Sequence, residues 1–157
     1  MIIRPFTERD LPGVFSIDVR SLAGRGWLEG DYLRLSRQTG GLILVAAEPS
    51  EDLVTGFAAL RRTLDEAELL NFAIDPEHRR QGIGRALLGE SVRQMREAGA
   101  NLLFLEVRPS NLPAQRLYFS SGFILHSVRK GYYSLPAEDA FVLMLRLDGF
   151  IPGQVYP

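Results

Sequence analysis

The run from Asn71 to Leu88, NFAIDPEHRRQGIGRALL, constrains this chain more than any other stretch. An apolar segment ending at Ile74 reads as a strand, and Asp75-Pro76 as a turn. Arg79-Arg80-Gln81-Gly82-Ile83-Gly84 then reads as the mouth of an amphipathic helix. Glycines at 82 and 84 let backbone come close to a ligand, because no Cβ stands in the way. A helix opens with N–H groups that have no partner within it and with the positive end of its dipole, which together favour an anion. Arg79, Arg80 and Arg85 add fixed positive charge beside that end. The segment is predicted to seat a pyrophosphate. Two other nucleotide loops do not fit. A dinucleotide fingerprint needs a third glycine where Leu87 stands, and a P-loop needs a Gly-Lys-Ser/Thr ending that the segment lacks. A glycine turn capping an ordinary helix is the alternative.

Length and composition narrow the classes. A chain of 157 residues is expected to form one domain, residues 1–147, with a tail over 148–157. A formal net charge of -1 argues against broad binding to nucleic acid. With no cysteine, a thiolate nucleophile and a Cys-ligated metal are excluded, and His78 and His126 alone cannot make a His-rich metal site. No signal peptide and no long apolar run is evident, so the expectation is a cytoplasmic protein with no membrane partner and no metal.

Along the chain, Ile2 to Phe6 reads as a first strand. Thr7 or Asp10 is placed to cap a helix whose first turn holds Pro12 and which runs to about Leu22. The segment 23–26 breaks it, and a second helix is predicted from Trp27 to Arg37. Strands are predicted at Leu42–Ala47, Leu53–Arg62 and Ala67–Ile74, followed by a helix from about Gly82 to Glu97 that Gly99 closes. Leu102 to Val107 reads as a strand covered on both faces. A helix opened by Ser110-Asn111 and Pro113 ends at Gly122. Phe123–Arg129 and Ala140–Leu147 form a last antiparallel pair.

The pattern Arg79-x-x-Gly82-x-Gly84 resembles the R/Q-x-x-G-x-G/A signature of the GNAT superfamily of acetyl-coenzyme A N-acetyltransferases. The element order β-α-α-β-β-β-α-β-α-β-β is also the GNAT order, a mixed α/β fold. The resemblance implies parallel fourth and fifth strands that splay into a slot. There Phe72, Ala73 and Ile74 would offer main-chain groups to the pantetheine arm, as an added strand would. It further implies that the amides from Arg80 through Gln81, Gly82, Ile83 and Gly84 to Arg85 meet the pyrophosphate, and that Asn111 lies on the cofactor side.

The stretch LEVRPSNLPAQRLYFSSGF closely resembles the bacterial ribosomal-protein alanine N-acetyltransferases. In those enzymes a strand-five Glu and a helix-four Tyr are the catalytic pair, which implies Glu106 as general base and Tyr118 as the acid toward the leaving thiolate. Each residue also has a plainer reading. Glu106 could pair with Arg108 on the same strand face, Tyr118 could be a core tyrosine, and Asn111 could be a helix cap. Tyr132-Tyr133, read as a loop between the last strands, with Trp27 and Asp18, are the candidates for holding an acceptor peptide. Of the Phe-Pro-Trp run usual before helix two in those enzymes, only Trp27 remains in Gly24-Arg25-Gly26-Trp27.

What this implies is direct acetyl transfer from acetyl-CoA to a primary amine within a ternary complex. The expected acceptor is a protein N-terminus, such as that of a ribosomal protein. An α-amine with a pKa of about 7.7–8.0 is largely protonated at neutral pH, so a base is required. Two alternatives stand: acetylation of a small-molecule amine or antibiotic, and a non-catalytic acyl-CoA sensor module.

Overall fold

In the computed structural model, which describes residues 1–21, 26–50 and 52–149, strands and helices follow in the expected order. β1 (Ile2–Pro5) leads through a short 3-10 turn into α1 (Leu11–Arg20) and then α2 (Glu29–Arg37). β2 (Gly41–Glu48), β3 (Leu53–Thr63) and β4 (Glu66–Ile74) form a meander, and α3 (Ile83–Glu97) crosses over to β5 (Leu102–Val107). After α4 (Leu112–Ser120), β6 (Ile124–Ser134) and β7 (Ala137–Arg146) close the fold. All seven strands share one sheet in the order β1-β2-β3-β4-β5-β7-β6. Only β4 and β5 are parallel neighbours. The predicted break at 23–25 and the tail beyond 149 lie outside the described residues.

Helices cover both sheet faces, and each face has its own core. Leu87, Leu88 and Met95 of α3 and Tyr118 of α4 pack with Leu103, Leu105 and Val107 of β5. On the opposite face, Val14 and Ile17 of α1 and Tyr32 and Leu35 of α2 pack on Ile43, Val45, Phe57 and Ala73. Burying a side chain the size of Leu87 or Leu88 contributes roughly 2 kcal/mol, so the apolar stripe of α3 is enough to fix it to the sheet.

Several details depart from the sequence reading. β5 alternates: Leu103, Leu105 and Val107 are buried while Leu102, Phe104 and Glu106 stay half-buried, because the far face of this strand meets no helix as large as α3. α2 starts at Glu29, two residues after Trp27, where the Leu28 N–H donates to Asp31 Oδ2 at 2.7 Å. Tyr132 and Tyr133 lie within β6, which extends to Ser134, and are not in a loop. Three residues of β6, 130–132, stand against one of β7 there, so the strand is irregular around the tyrosine pair.

Candidate active site

β4 and β5 pair only as far as Leu69 and Leu105. Beyond that point β4 continues to Ile74 and β5 to Val107 with no ladder between them, so the sheet opens into a wedge. The pairing of β4 with β3 shows why the wedge has two differently lined sides. Ala59 pairs with Asn71 and Leu60 with Leu69, which leaves Leu70 as a bulge outside the ladder. One extra residue reverses the phase of a strand. Ala67 and Leu69 therefore face α3, but past the bulge it is Phe72 and Ile74 that do so, while Ala73 turns to the α1–α2 side. In the sequence the bulge leaves only the adjacent Leu69-Leu70, where the alternation of Glu66 to Leu69 slips by one.

A cavity of about 980 Å³ occupies the wedge. Of the predicted cofactor residues, Phe72, Ala73, Ile74, Arg79, Arg80, Gly82, Ile83, Gly84, Arg85 and Asn111 line it, and Gln81 does not. At its mouth the chain turns through two left-handed residues, Arg80 at φ 64 and Gly82 at φ 82, before α3 begins at Ile83. Such a turn brings successive N–H groups to one concave side, and α3 adds its own unpaired N–H groups. A Cβ on Gly84 would lie 3.4 Å from Leu117, 3.6 Å from Ile74 and 3.9 Å from Phe72, inside the wedge. Arg79 fixes the turn by donating from Nε to Ile74 O at 3.3 Å, and Arg85 Nη2 reaches Ser120 Oγ of α4 at 3.1 Å. A cradle of backbone donors with a side-chain-free floor suits the diphosphate and thin amide arm of coenzyme A.

Glu106 and Tyr118 line this same cavity from opposite faces of the sheet. Leu105 and Val107 point to the α3 side, so Glu106 between them points to the α1–α2 side. Its carboxylate pairs with Arg129 of β6 at 3.3 Å. Arg108, the partner suggested by strand periodicity, goes elsewhere. It donates to Glu138 at 3.3 Å and to the carbonyls of Pro136 and Leu135, and its guanidinium lies 4.1 Å from the centroid of the Tyr133 ring. Glu138 in turn accepts from the Ser110 N–H at 2.7 Å and its hydroxyl at 2.9 Å. Burial alone would raise the Glu138 carboxyl, but the Ser110 and Arg108 donors outweigh it and hold it below its ordinary value. Tyr118 is buried with its ring against Phe72 and Phe123. Asn111 accepts from the Ala114 N–H at 3.2 Å, so it caps α4 as well as lining the cavity.

The predicted acceptor residues divide. Tyr133 lines the cavity, and Tyr132 meets it edge to face with ring centroids 5.0 Å apart. Trp27 packs on Tyr32 at 4.9 Å and joins the α1–α2 core. Asp18, only 2% exposed, lies within that core. Tyr32 donates its hydroxyl to Asp18 Oδ2 at 2.5 Å, and Asn71 Nδ2 donates to Asp18 Oδ1 at 3.2 Å. Asn71 Oδ1 also accepts the Phe72 N–H at 2.9 Å, so this network braces the bulge. Desolvation, with the carboxylate of Asp18 beside it, pushes the Tyr32 hydroxyl well above the usual range and keeps it a donor. Neither Tyr32 nor the bracing role of Asn71 was foreseen, since nothing in either segment announces its partner. Among the described residues, no group of three or more His, Cys, Asp or Glu side chains is placed to hold a metal ion.

A mixed sheet split between its two parallel strands, with a glycine-relieved helix mouth at the split, defines an acyl-coenzyme A-dependent transferase. The sequence profile of the acetyltransferase (GNAT) family matches residues 11–123, and the chain belongs to that family of N-acetyltransferases. It is 34% identical over 149 residues to the ribosomal protein bS18-alanine N-acetyltransferase of Haemophilus ducreyi, covering 93% of this chain and 100% of that one. It is 36% identical over 141 residues to the enzyme of the same name from Escherichia coli, covering 88% and 93%. The crystal structure of the ribosomal-protein-S18-alanine N-acetyltransferase from Escherichia coli superposes with a TM-score of 0.84 at 32% identity, over 99% of each chain.

Proposed function

We propose that this enzyme acetylates the N-terminal α-amine of a protein, with a ribosomal protein beginning in alanine as the leading candidate. The observation that carries this reading is the two-sided wedge, with Glu106 on the α1–α2 side and Tyr118 on the α3–α4 side of one cavity. The backbone turn at Arg80–Gly82, the start of α3 and the edge of β4 from Phe72 to Ile74 would hold coenzyme A. Acetyl-CoA supplies the activated acyl group. Glu106 accepts a proton from the attacking amine, and Tyr118 donates one to the departing sulfur. The bulged Leu70, outside the β3 ladder, carries a main-chain N–H that can be aimed at the acyl oxygen, a type of contact worth roughly 3 kcal/mol when fixed in advance. Tyr132 and Tyr133 flank the acceptor side. The names of the similar enzymes from Haemophilus ducreyi and Escherichia coli support alanine as the first residue of the acceptor.

A panel of peptides with N-terminal alanine, serine or methionine, assayed beside polyamines and aminoglycosides for release of coenzyme A thiol, tests this reading. Preference for the alanine peptide is expected. Turnover of a small amine alone would make this a small-molecule acetyltransferase. Tight cofactor binding with no release from any acceptor would make it a sensor.

A further inference from the structure

At Leu70 the β4 strand has lost one neighbour and slips against the other. Its ladder with β5 stops at the Leu69–Leu105 pair, and its register with β3 shifts between Leu69 and Asn71. Asn71 follows the bulge directly, and it lines the cavity although it is buried. Three side chains from three elements meet there: Asp18 of α1, Tyr32 of α2 and Asn71 itself. Asn71 Nδ2 donates to Asp18 Oδ1 at 3.2 Å and to Tyr32 Oη at 3.0 Å, and Tyr32 Oη donates to Asp18 Oδ2. The other end of the same amide, Oδ1, accepts the Phe72 N–H at 2.9 Å. Only one orientation of the amide satisfies this set, since a flip would set donor against donor and oxygen against carboxylate.

Among the described residues, no basic side chain pairs with Asp18. Burying three polar side chains without a cation is seldom the most stable way to fill a core. What the polar set adds is a fixed geometry, at the point where one ladder has ended and the other shifts. A donor aimed in advance at a developing charge works only if its backbone does not drift. A misplacement of about 1 Å can cost about 10²-fold in rate. We propose that Asn71 is a positioning residue: anchored by Asp18 and Tyr32, it fixes the β4 bulge so that its main-chain N–H meets the acyl oxygen of acetyl-CoA. This rests on the acyl-oxygen contact proposed above for the bulge.

The test reads the acyl oxygen directly and needs no acceptor. Acetyl-CoA isotopically labelled at the thioester carbonyl carbon is bound to the full-length wild-type enzyme, Asn71→Ala and Tyr32→Phe, and its infrared carbonyl band is recorded. A hydrogen bond to the oxygen lowers the band, so in wild type it should lie below that of a thioester in apolar solvent. In Asn71→Ala the band should move back up, and kcat with the working acceptor should fall by roughly 10²-fold. Tyr32→Phe keeps its ring on Trp27 and Phe57 and removes one anchor. It should show smaller changes in the same direction, and it decides the question if Asn71→Ala does not fold. The KM for acetyl-CoA should change little in both, because the diphosphate seat at the start of α3 is untouched. A band that stays at the wild-type frequency in both variants overturns the inference, and a lower melting temperature alone would make the network a support of the fold. A wild-type band at the apolar-solvent value would remove the acyl-oxygen contact itself, and the inference with it. A lowered wild-type band that rises in the variants, in an enzyme that turns over no peptide, would count against the N-terminal acceptor and uphold the role of Asn71.

Discussion

Tyr118 has its ring 6.2 Å from Phe72 and 5.7 Å from Phe123, centroid to centroid. Removing only its hydroxyl therefore leaves the packing in place and isolates the role proposed for it as proton donor. Tyr118→Phe is expected to lower kcat by about 10²–10⁴ with the KM for acetyl-CoA nearly unchanged; steady-state kinetics decides, and unaltered turnover would take Tyr118 out of the mechanism. Glu106→Gln keeps the shape of the side chain and loses the carboxylate proposed as the base. Its pH–rate profile should lack the rise toward alkaline pH, and a wild-type profile would show that another group takes the proton. Both residues could be named from the sequence because each sits in a recognisable local run. Their partners could not. Glu106 was given Arg108 as a neighbour two residues along, but the fold supplies Arg129, 23 residues away in the chain, and directs Arg108 to Glu138. Asp18 was read as a candidate contact for the acceptor amine, and the fold surrounds it with Tyr32 and Asn71.

At the scale of elements, the mouth of α3 and the bulge of β4 together make the wedge. Gly82 takes a left-handed φ of 82, whereas Gly84 keeps the gap beside Leu117 and Ile74 open, where a bare Cβ would already be in van der Waals contact. A β-branched side chain at 84 would fill the gap between Ile74, Phe72 and Leu117 from within the protein. Gly84→Val should raise the KM for acetyl-CoA by roughly tenfold or more, about 1.4 kcal/mol of lost binding. Thermal melting should change little, because a valine in a helix costs less backbone entropy than the glycine it replaces. A tenfold weaker cofactor with an intact melting curve marks a lost site, whereas a collapsed melting curve would mean that Leu117 and Ile74 cannot yield. The helix mouth was legible because its glycines and arginines are contiguous. The bulge was not readable from the residues, since a slip in alternation between two leucines looks the same as a strand that is apolar on both faces.

For the whole molecule, several carboxylates tie distant segments together and set its response to acid. Burial would raise Asp10, but the bidentate Arg4 at 2.8 Å and the Thr7 N–H at 2.7 Å outweigh it and hold Asp10 below 3.8. Asp75, also buried, is likewise held low against its desolvation by the Glu77 N–H and by Arg20 of α1. A carboxyl whose folded pKa lies below its unfolded value stabilises fully above the unfolded pKa of about 3.9, and that stability is lost as pH falls through the folded pKa. Stability should hold from neutral pH to about 5 and then drop below about 4. Asp10→Asn should cost about 1–2 kcal/mol at pH 7 and make the fall between pH 5 and 3 shallower, as read from urea melts at each pH. An equally steep fall would show that Asp10 is not among the groups that titrate on unfolding.

The sequence by itself determined the order of strands and helices, the glycine-opened helix that favours an anion, and the superfamily. Periodicity, caps and contiguous motifs express interactions among residues a few positions apart, and those are written directly in the chain. Only the tertiary structure decided where β4 and β5 part, which face Glu106 takes, and which cation it meets. These depend on strand register and on a phase reversal at Leu70, set by packing against two helical layers at once, and no local stretch encodes both sides of such a contact.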